Sequence, residues 1–144
     1  MACDIRFATR DSVLALPEVS LGQIPGSGGS QRIARIVGLT RAADLMLLGR
    51  RISADEACDW GLINKVVDDS ASLDAAVDEA VDKLVSQSAL ALKTIKRVLA
   101  LTYDASLPAG LELEGHAYEK LRSAPDYQEG IAAFTDKRKP RFNK

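Results

Sequence analysis

Strand signals in this 144-residue chain are confined to a few short runs, and that shortage constrains the fold more than any other feature. Ile5-Arg6-Phe7-Ala8 alternates apolar and polar, Thr9-Arg10-Asp11-Ser12 turns, and Val13-Leu14-Ala15-Leu16 resumes an extended run that Pro17 ends. Ile63 to Val67 reads as a further brief strand. Two or three strands without partners would leave unpaired edges and an apolar face. An α/β sheet built from them is expected to draw its other strands from elsewhere, upstream in a longer parent or in another chain.

Between these runs lies a loop, Gly22-Gln23-Ile24-Pro25-Gly26-Ser27-Gly28-Gly29-Ser30, with four glycines in its first eight residues. Glycine gathers where backbone takes unusual dihedrals or approaches something closely. Gln31 and Arg32 open the helix that follows, and most of the remaining chain reads as helical. Ser53-Ala54-Asp55-Glu56 has the pattern of a capping box, and Gly61 suits the left-handed residue that closes a short helix. Leu73, Ala76, Val77, Ala80, Val81, Leu84 and Val85 recur at three and four, opposite Asp74, Asp78, Asp82 and Lys83. Ala91, Leu92, Ile95, Val98, Leu99 and Thr102 form a second stripe. A further helix is expected near Pro108, and another opening at Asp126-x-x-Glu129.

Composition narrows the class. Apolar residues make up 47% and charged ones 27%, as in globular domains, and the formal net charge of -1 gives no argument for nucleic acid. No apolar run approaches the length that spans a bilayer, and Met1-Ala2-Cys3-Asp4 leads directly into a strand-like segment with no signal peptide. Cys3 and Cys58 lie far apart with no metal-ligand spacing, so they read as reduced core residues, as does Trp60. The expectation is a soluble cytoplasmic protein with no disulfide, metal or membrane partner.

Several motifs then follow in one order: Ala2-Cys3-Asp4-Ile5-Arg6-Phe7-Ala8, Leu16-Pro17-Glu18, Leu21 to Arg32, Gly49 to Ala57, Trp60 to Val67, Glu129 to Phe134, and Lys137-Arg138-Lys139-Pro140-Arg141-Phe142. Together they resemble the second half of crotonase-family enoyl-CoA hydratases and isomerases, across essentially the whole chain. The resemblance implies a crotonase-like (ClpP/crotonase) α/β fold, present in part. Residues 1–68 would supply late strands of the spiral ββα core, and residues 69–144 the helical C-terminal trimerisation region. Family subunits are nearly twice this long. Their first half supplies the oxyanion-hole N–H groups, the adenine-binding segment and, in hydratases, a first catalytic glutamate expected just ahead of Ala2-Cys3-Asp4. Ser27 and Ser30 depart mildly from the usual glycine and threonine.

By that resemblance Glu18 is the catalytic residue, a general acid/base at the substrate's α-carbon. The chemistry needs a carboxyl there, since adding water across an enoyl thioester requires a proton delivered to carbon. A solvated residue after a strand-ending proline is the plain alternative. Pro25, Gly26 and Gly28 are the substrate-binding candidates of the loop, with a tight strand-to-helix connection as the alternative. Phe134 and Lys137 are the candidates for coenzyme A phosphates, often those of a neighbouring subunit; a solvated, frayed terminus is the alternative. Lys93, Lys96 and Arg97 read as ordinary surface, and His116, the one histidine, is assigned no role. The implied function is hydration of trans-2-enoyl-CoA thioesters in fatty-acid or acyl-CoA metabolism, with no cofactor beyond the coenzyme A of the substrate. The implied partners are acyl-CoA and copies of the chain in a trimer or hexamer, with no nucleic acid. The isolated chain is expected to be inactive. The alternatives are an isomerase using one glutamate, a non-catalytic acyl-CoA-binding or oligomerisation module, and a fragment.

Overall fold

Pro17 and the glycines after it decide where the chain stops being extended, and everything in the first part of the structure is arranged around that point. The computed structural model describes residues 1–142; Asn143 and Lys144, the end of the basic tail, lie outside the described residues. The chain divides into two compact units, Met1–Asp78 and a second beginning at Glu79.

The first unit runs β1 (Phe7–Thr9), β2 (Val13–Ala15), α1 (Gly29–Leu47), β3 (Arg51–Ser53), α2 (Ala54–Asp59) and β4 (Lys65–Val67) into α3 (Ser70–Val85), within which the division falls. β1 pairs parallel with β4, Ala8 opposite Val66, and β2 pairs antiparallel with β3, Leu14 opposite Ile52. Two two-stranded ladders therefore take the place of one sheet. β3 carried no signal of its own, since three residues are too few to show a period. Its conformation comes from pairing with β2 and from the left-handed turn at Gly49 just before it.

The core lies between these ladders and the helices. Ile33, Leu45, Ile52 and Leu62 are its largest fully buried side chains, and Ala42, Ala54 and Ala57 let backbone approach closely. α1 is broken at Gly38, whose φ of 80° and ψ of 163° are open only to glycine. A methyl group there would meet no atom within 4 Å, so the constraint is backbone and not space. Gly38→Ala is expected to cost about 1–3 kcal/mol, read as a lowered urea midpoint.

Half of the expected capping box forms at α2. The Ser53 hydroxyl accepts from the Glu56 N–H at 3.2 Å, but the Glu56 carboxylate accepts from Arg50 at 2.7 Å instead of returning to Ser53. A charge-assisted bond to a guanidinium outcompetes one to a neutral amide. Gly61 closes the helix as expected, left-handed, with its N–H on Cys58 O and the Leu62 N–H on Ala57 O. The core assignment of Cys3 is corrected, since it is exposed; Cys58 and Trp60 are half-buried and pack against the core. Arg41 and Arg50 lie 5.2 and 5.6 Å from the Trp60 ring centre, a cation–π arrangement.

The second unit holds α4 (Ala89–Leu101), α5 (Leu107–Arg122) and α6 (Pro125–Thr135). Ser88 and Ser106 cap the first two. Residues near the connecting turn, Leu101 and Thr102, share a groove with Leu107 and Leu111, while Thr94 and Arg97 face Ala117 and Lys120, so α4 and α5 form an antiparallel hairpin. The capping box expected at Asp126 and Glu129 is also corrected. Ala124 is the N-cap and makes no side-chain bond, Pro125 opens the helix, and Asp126 lies inside the first turn. Proline's fixed φ starts the helix without a cap side chain.

Among the described residues of this unit only Ser88, Ala124 and Ala133 are buried. The apolar stripes are only partly covered: Ala76 of α3 is buried, but Val81 is 46% exposed, and Ile95 and Leu99 of α4 are 52% and 63% exposed. No helix among the described residues is long and apolar enough to cross a membrane.

Candidate functional site

Leu16 leaves β2, Pro17 blocks further extension, and the chain winds into a 3-10 turn over Glu18–Leu21. Local bonds hold that turn. The Ser20 N–H and hydroxyl both donate to Pro17 O, at 3.0 and 2.7 Å, and the Gln23 N–H donates to Glu18 O at 3.1 Å. Gly22 ends it with φ 69°. The Glu18 backbone is thereby fixed, and its side chain is half-buried. Glu18 Oε2 is buried and has no hydrogen-bond partner among the described residues. A carboxylate oxygen withdrawn from water without a donor is costly, and such orphans concentrate at sites where something else must bind.

The glycine loop closes on the same end of β2. Gly29 N–H donates to Gly26 O at 2.9 Å, Arg32 N–H to Gly28 O at 3.0 Å, and the Arg32 guanidinium to Ser27 O at 2.7 Å. Ser27 and Gly28 both have positive φ, 53° and 79°, and Gly28 is the N-cap of α1 with no side chain capping it. A Cβ on Gly29 would come within 3.2 Å of the Pro25 ring and 3.9 Å of Leu16, so glycine is needed for the loop to lie against β2. Pro25 is buried as a support, while Gly26 is exposed with open space over it. An apolar cavity of about 240 Å³ begins at Leu16 and Gly29 and runs between Leu14, Ile33, Leu45 and Leu62. Glu18 is not among its lining residues.

Phe134 and Lys137 belong to the second unit and stand together where α6 ends. Phe134 is 85% exposed. Lys137 occupies the left-handed position after the helix, φ 53°, its N–H on Phe134 O at 3.2 Å, with the Arg138 N–H on Ala133 O at 3.0 Å. A non-glycine residue here costs about 1 kcal/mol. Glu129 and Asp136 raise the pKa of Arg138 above its ordinary value, chiefly through the bond to Glu129.

Leu16, Gly49 and Arg32, which the sequence marks only as a strand end, a motif residue and a helix start, shape the loop and the turn. Gly49 lies 3.6 Å, as measured from a Cβ built on it, from the Pro17 backbone, a contact between residues far apart in the chain that leaves no local signal. No group of three or more histidine, cysteine or acidic residues that could hold a metal occurs among the described residues.

The family model for enoyl-CoA hydratase/isomerase matches residues 1–144. A probable mitochondrial enoyl-CoA hydratase 2 of Arabidopsis thaliana is 37% identical over 142 residues, covering 99% of this chain and 47% of that protein. A short-chain-enoyl-CoA hydratase of Clostridioides difficile is 36% identical over 135 residues, covering 93% of this chain and 86% of that protein. The crystal structure of an enoyl-CoA hydratase from Bacillus anthracis superposes with a TM-score of 0.94 at 38% identity, over 98% of this chain and 54% of that one. The chain thus spans about half the length of the Arabidopsis and Bacillus relatives.

Proposed function

Because the chain belongs to the enoyl-CoA hydratase/isomerase family, we propose that it carries the later half of a crotonase-like subunit and delivers a proton in hydration of a trans-2-enoyl-CoA thioester. The observation that carries this reading is the orphaned Glu18 oxygen, on a turn whose backbone carbonyl accepts from Gln23 at the start of the glycine loop. Water adding to the β-carbon gives up one proton to the carboxylate assigned to the other half of the fold and leaves enolate charge on the thioester oxygen. The enolate collapses when a carboxyl group protonates the α-carbon, the step assigned to Glu18. Stabilisation of the oxyanion, usually the largest contribution to such a reaction, is assigned to the other half of the fold. Gly26 and Gly28 would admit the acyl group with Pro25 supporting them, and Phe134 with Lys137 would take the adenine and phosphate end of a substrate held by a neighbouring subunit. Coenzyme A enters as part of the substrate, and the reading requires no further cofactor.

Two further features support association. The ladders β1–β4 and β2–β3 each have only two strands, and isolated pairs are marginal in water. Apolar side chains of α3 and α4 lie exposed where a soluble monomer rarely leaves them. A homotrimer or hexamer built on the helical unit fits the exposed helix faces, strands from the other half of the fold would complete the ladders, and the free cysteines fit a reducing compartment such as the cytoplasm.

Mixing the purified chain with a polypeptide carrying the relatives' other half should restore crotonyl-CoA hydration, followed as loss of the enoyl absorbance. A mixture no more active than that other half alone would overturn the reading.

A further inference from the structure

The basic end of the chain is held by one carboxylate. Glu129, in the middle of α6, accepts the Arg138 guanidinium with both oxygens, Oε1 from Nη1 at 2.7 Å and Oε2 from Nη2 at 3.0 Å. The same Oε1 accepts the backbone N–H of Arg141 at 2.6 Å. Asp136 adds a longer contact to the Arg138 Nε at 3.4 Å. These bonds turn the segment after α6 back along the helix, so that the Phe142 ring lies 3.7 Å from the position a Cβ would take on Gly130. The turn that makes this possible is Lys137, left-handed without being glycine.

Glycine would make that turn at lower cost. A side chain in this backbone conformation has a defined position only while the residues on both sides are fixed. The helix-end bonds from the Lys137 N–H to Phe134 O and from the Arg138 N–H to Ala133 O hold the turn itself, and Glu129 holds the chain beyond it through the Arg138 side chain and the Arg141 N–H. The Glu129 side chain is 26% exposed and that of Arg138 40%, so the bidentate pair is partly shielded from water and salt.

We infer that Glu129 is a positioning residue for Lys137: its clasp on Arg138 and Arg141 holds the chain that leaves the left-handed turn at Lys137, three residues after the exposed Phe134, so that this end of α6 is preformed for the phosphorylated, aromatic end of the substrate. This rests on the proposed coenzyme A reading and adds to it the residue that organises that end. Glu129 touches no substrate in this scheme and acts through the backbone of its neighbours.

Calorimetric titration with coenzyme A of wild type, Glu129→Gln, Lys137→Ala and the double variant tests it, alongside trypsin cleavage between residues 137 and 142. Glu129→Gln should release the segment, seen as faster cleavage, and weaken coenzyme A roughly tenfold. In the Lys137→Ala background the same substitution should change affinity by less than about twofold, because the group it positions is gone. A purely structural Glu129 would weaken binding equally in both backgrounds, and that additive result overturns the proposal. So does Glu129→Gln with faster cleavage and wild-type affinity, which leaves the coenzyme A reading standing. Unchanged cleavage in Glu129→Gln overturns the clasp itself. A wild-type chain with no affinity for coenzyme A overturns the reading and the positioning role with it.

Discussion

Glu18→Gln is expected to lower hydration by an active site assembled around this chain about 10²–10⁴-fold, while leaving the first unit as stable as before or more so. The two effects have one origin. Glu18 Oε2 is buried without a donor, so folding withdraws part of a carboxylate from water with no compensating bond. An amide of the same shape carries no charge, and its burial is less unfavourable. It also cannot release a proton to the substrate's α-carbon, so the rate falls while stability is kept, a trade-off common at active sites. The rate is measured as crotonyl-CoA hydration in the mixture with the complementary half, and stability as the urea midpoint of the chain alone. A variant that retains wild-type turnover removes Glu18 from the chemistry. A variant that loses more than about 1 kcal/mol shows that the carboxylate has a structural partner, since that is the typical worth of a hydrogen bond.

The largest effect on stability is expected at Ile52. Its side chain is 1% exposed, it stands opposite Leu14 in the β2–β3 ladder, and it belongs to the same cluster as Ile33, Leu45 and Leu62. Truncating a side chain of this kind typically costs 2–5 kcal/mol, the lost transfer energy plus the cavity left behind, with roughly the upper end where neighbours cannot close in. A domain this small has only about 5–15 kcal/mol in all. Ile52→Ala should therefore shift the urea midpoint of the first unit sharply. It should also loosen the turn at Glu18, because β2 runs directly into Leu16 and Pro17. Leu39→Ala is the control. Leu39 is 80% exposed, and such a site should change stability by no more than about 0.5 kcal/mol. If the two variants unfold at the same urea concentration, the packing described for this unit is wrong.

The elements whose signals are local were legible in the residues. Pro17 ends a strand because its ring forbids the ladder, Gly61 closes α2 because it can take positive φ, and Ser53 caps α2 because its hydroxyl reaches the Glu56 N–H. The proposed role of Glu18 came only from the family resemblance, since an acidic residue after a proline has no periodicity to mark it. The errors share one cause. Glu129 sits at capping-box spacing from Asp126 but bonds nine residues forward to Arg138, and Glu56 turns to Arg50, because charged donors reached through tertiary folding outcompete nearby neutral ones. The helix stripes were rightly placed on one face of α3 and α4, yet periodicity states which residues share a face and not what covers it.

By itself, the order of residues determined the family, the division between a strand-bearing start and a helical remainder, and the caps and turns that bound most elements. These depend on dihedral preferences and spacings that act within a few residues. Only the tertiary structure decided that the strands form two separate ladders, that Glu18 Oε2 lies buried without a partner, that Trp60 sits between two guanidinium groups, and that Glu129 clasps the chain end. Each of those depends on which distant groups meet once water is excluded, and burial and charge pairing are properties of that meeting and not of any one segment.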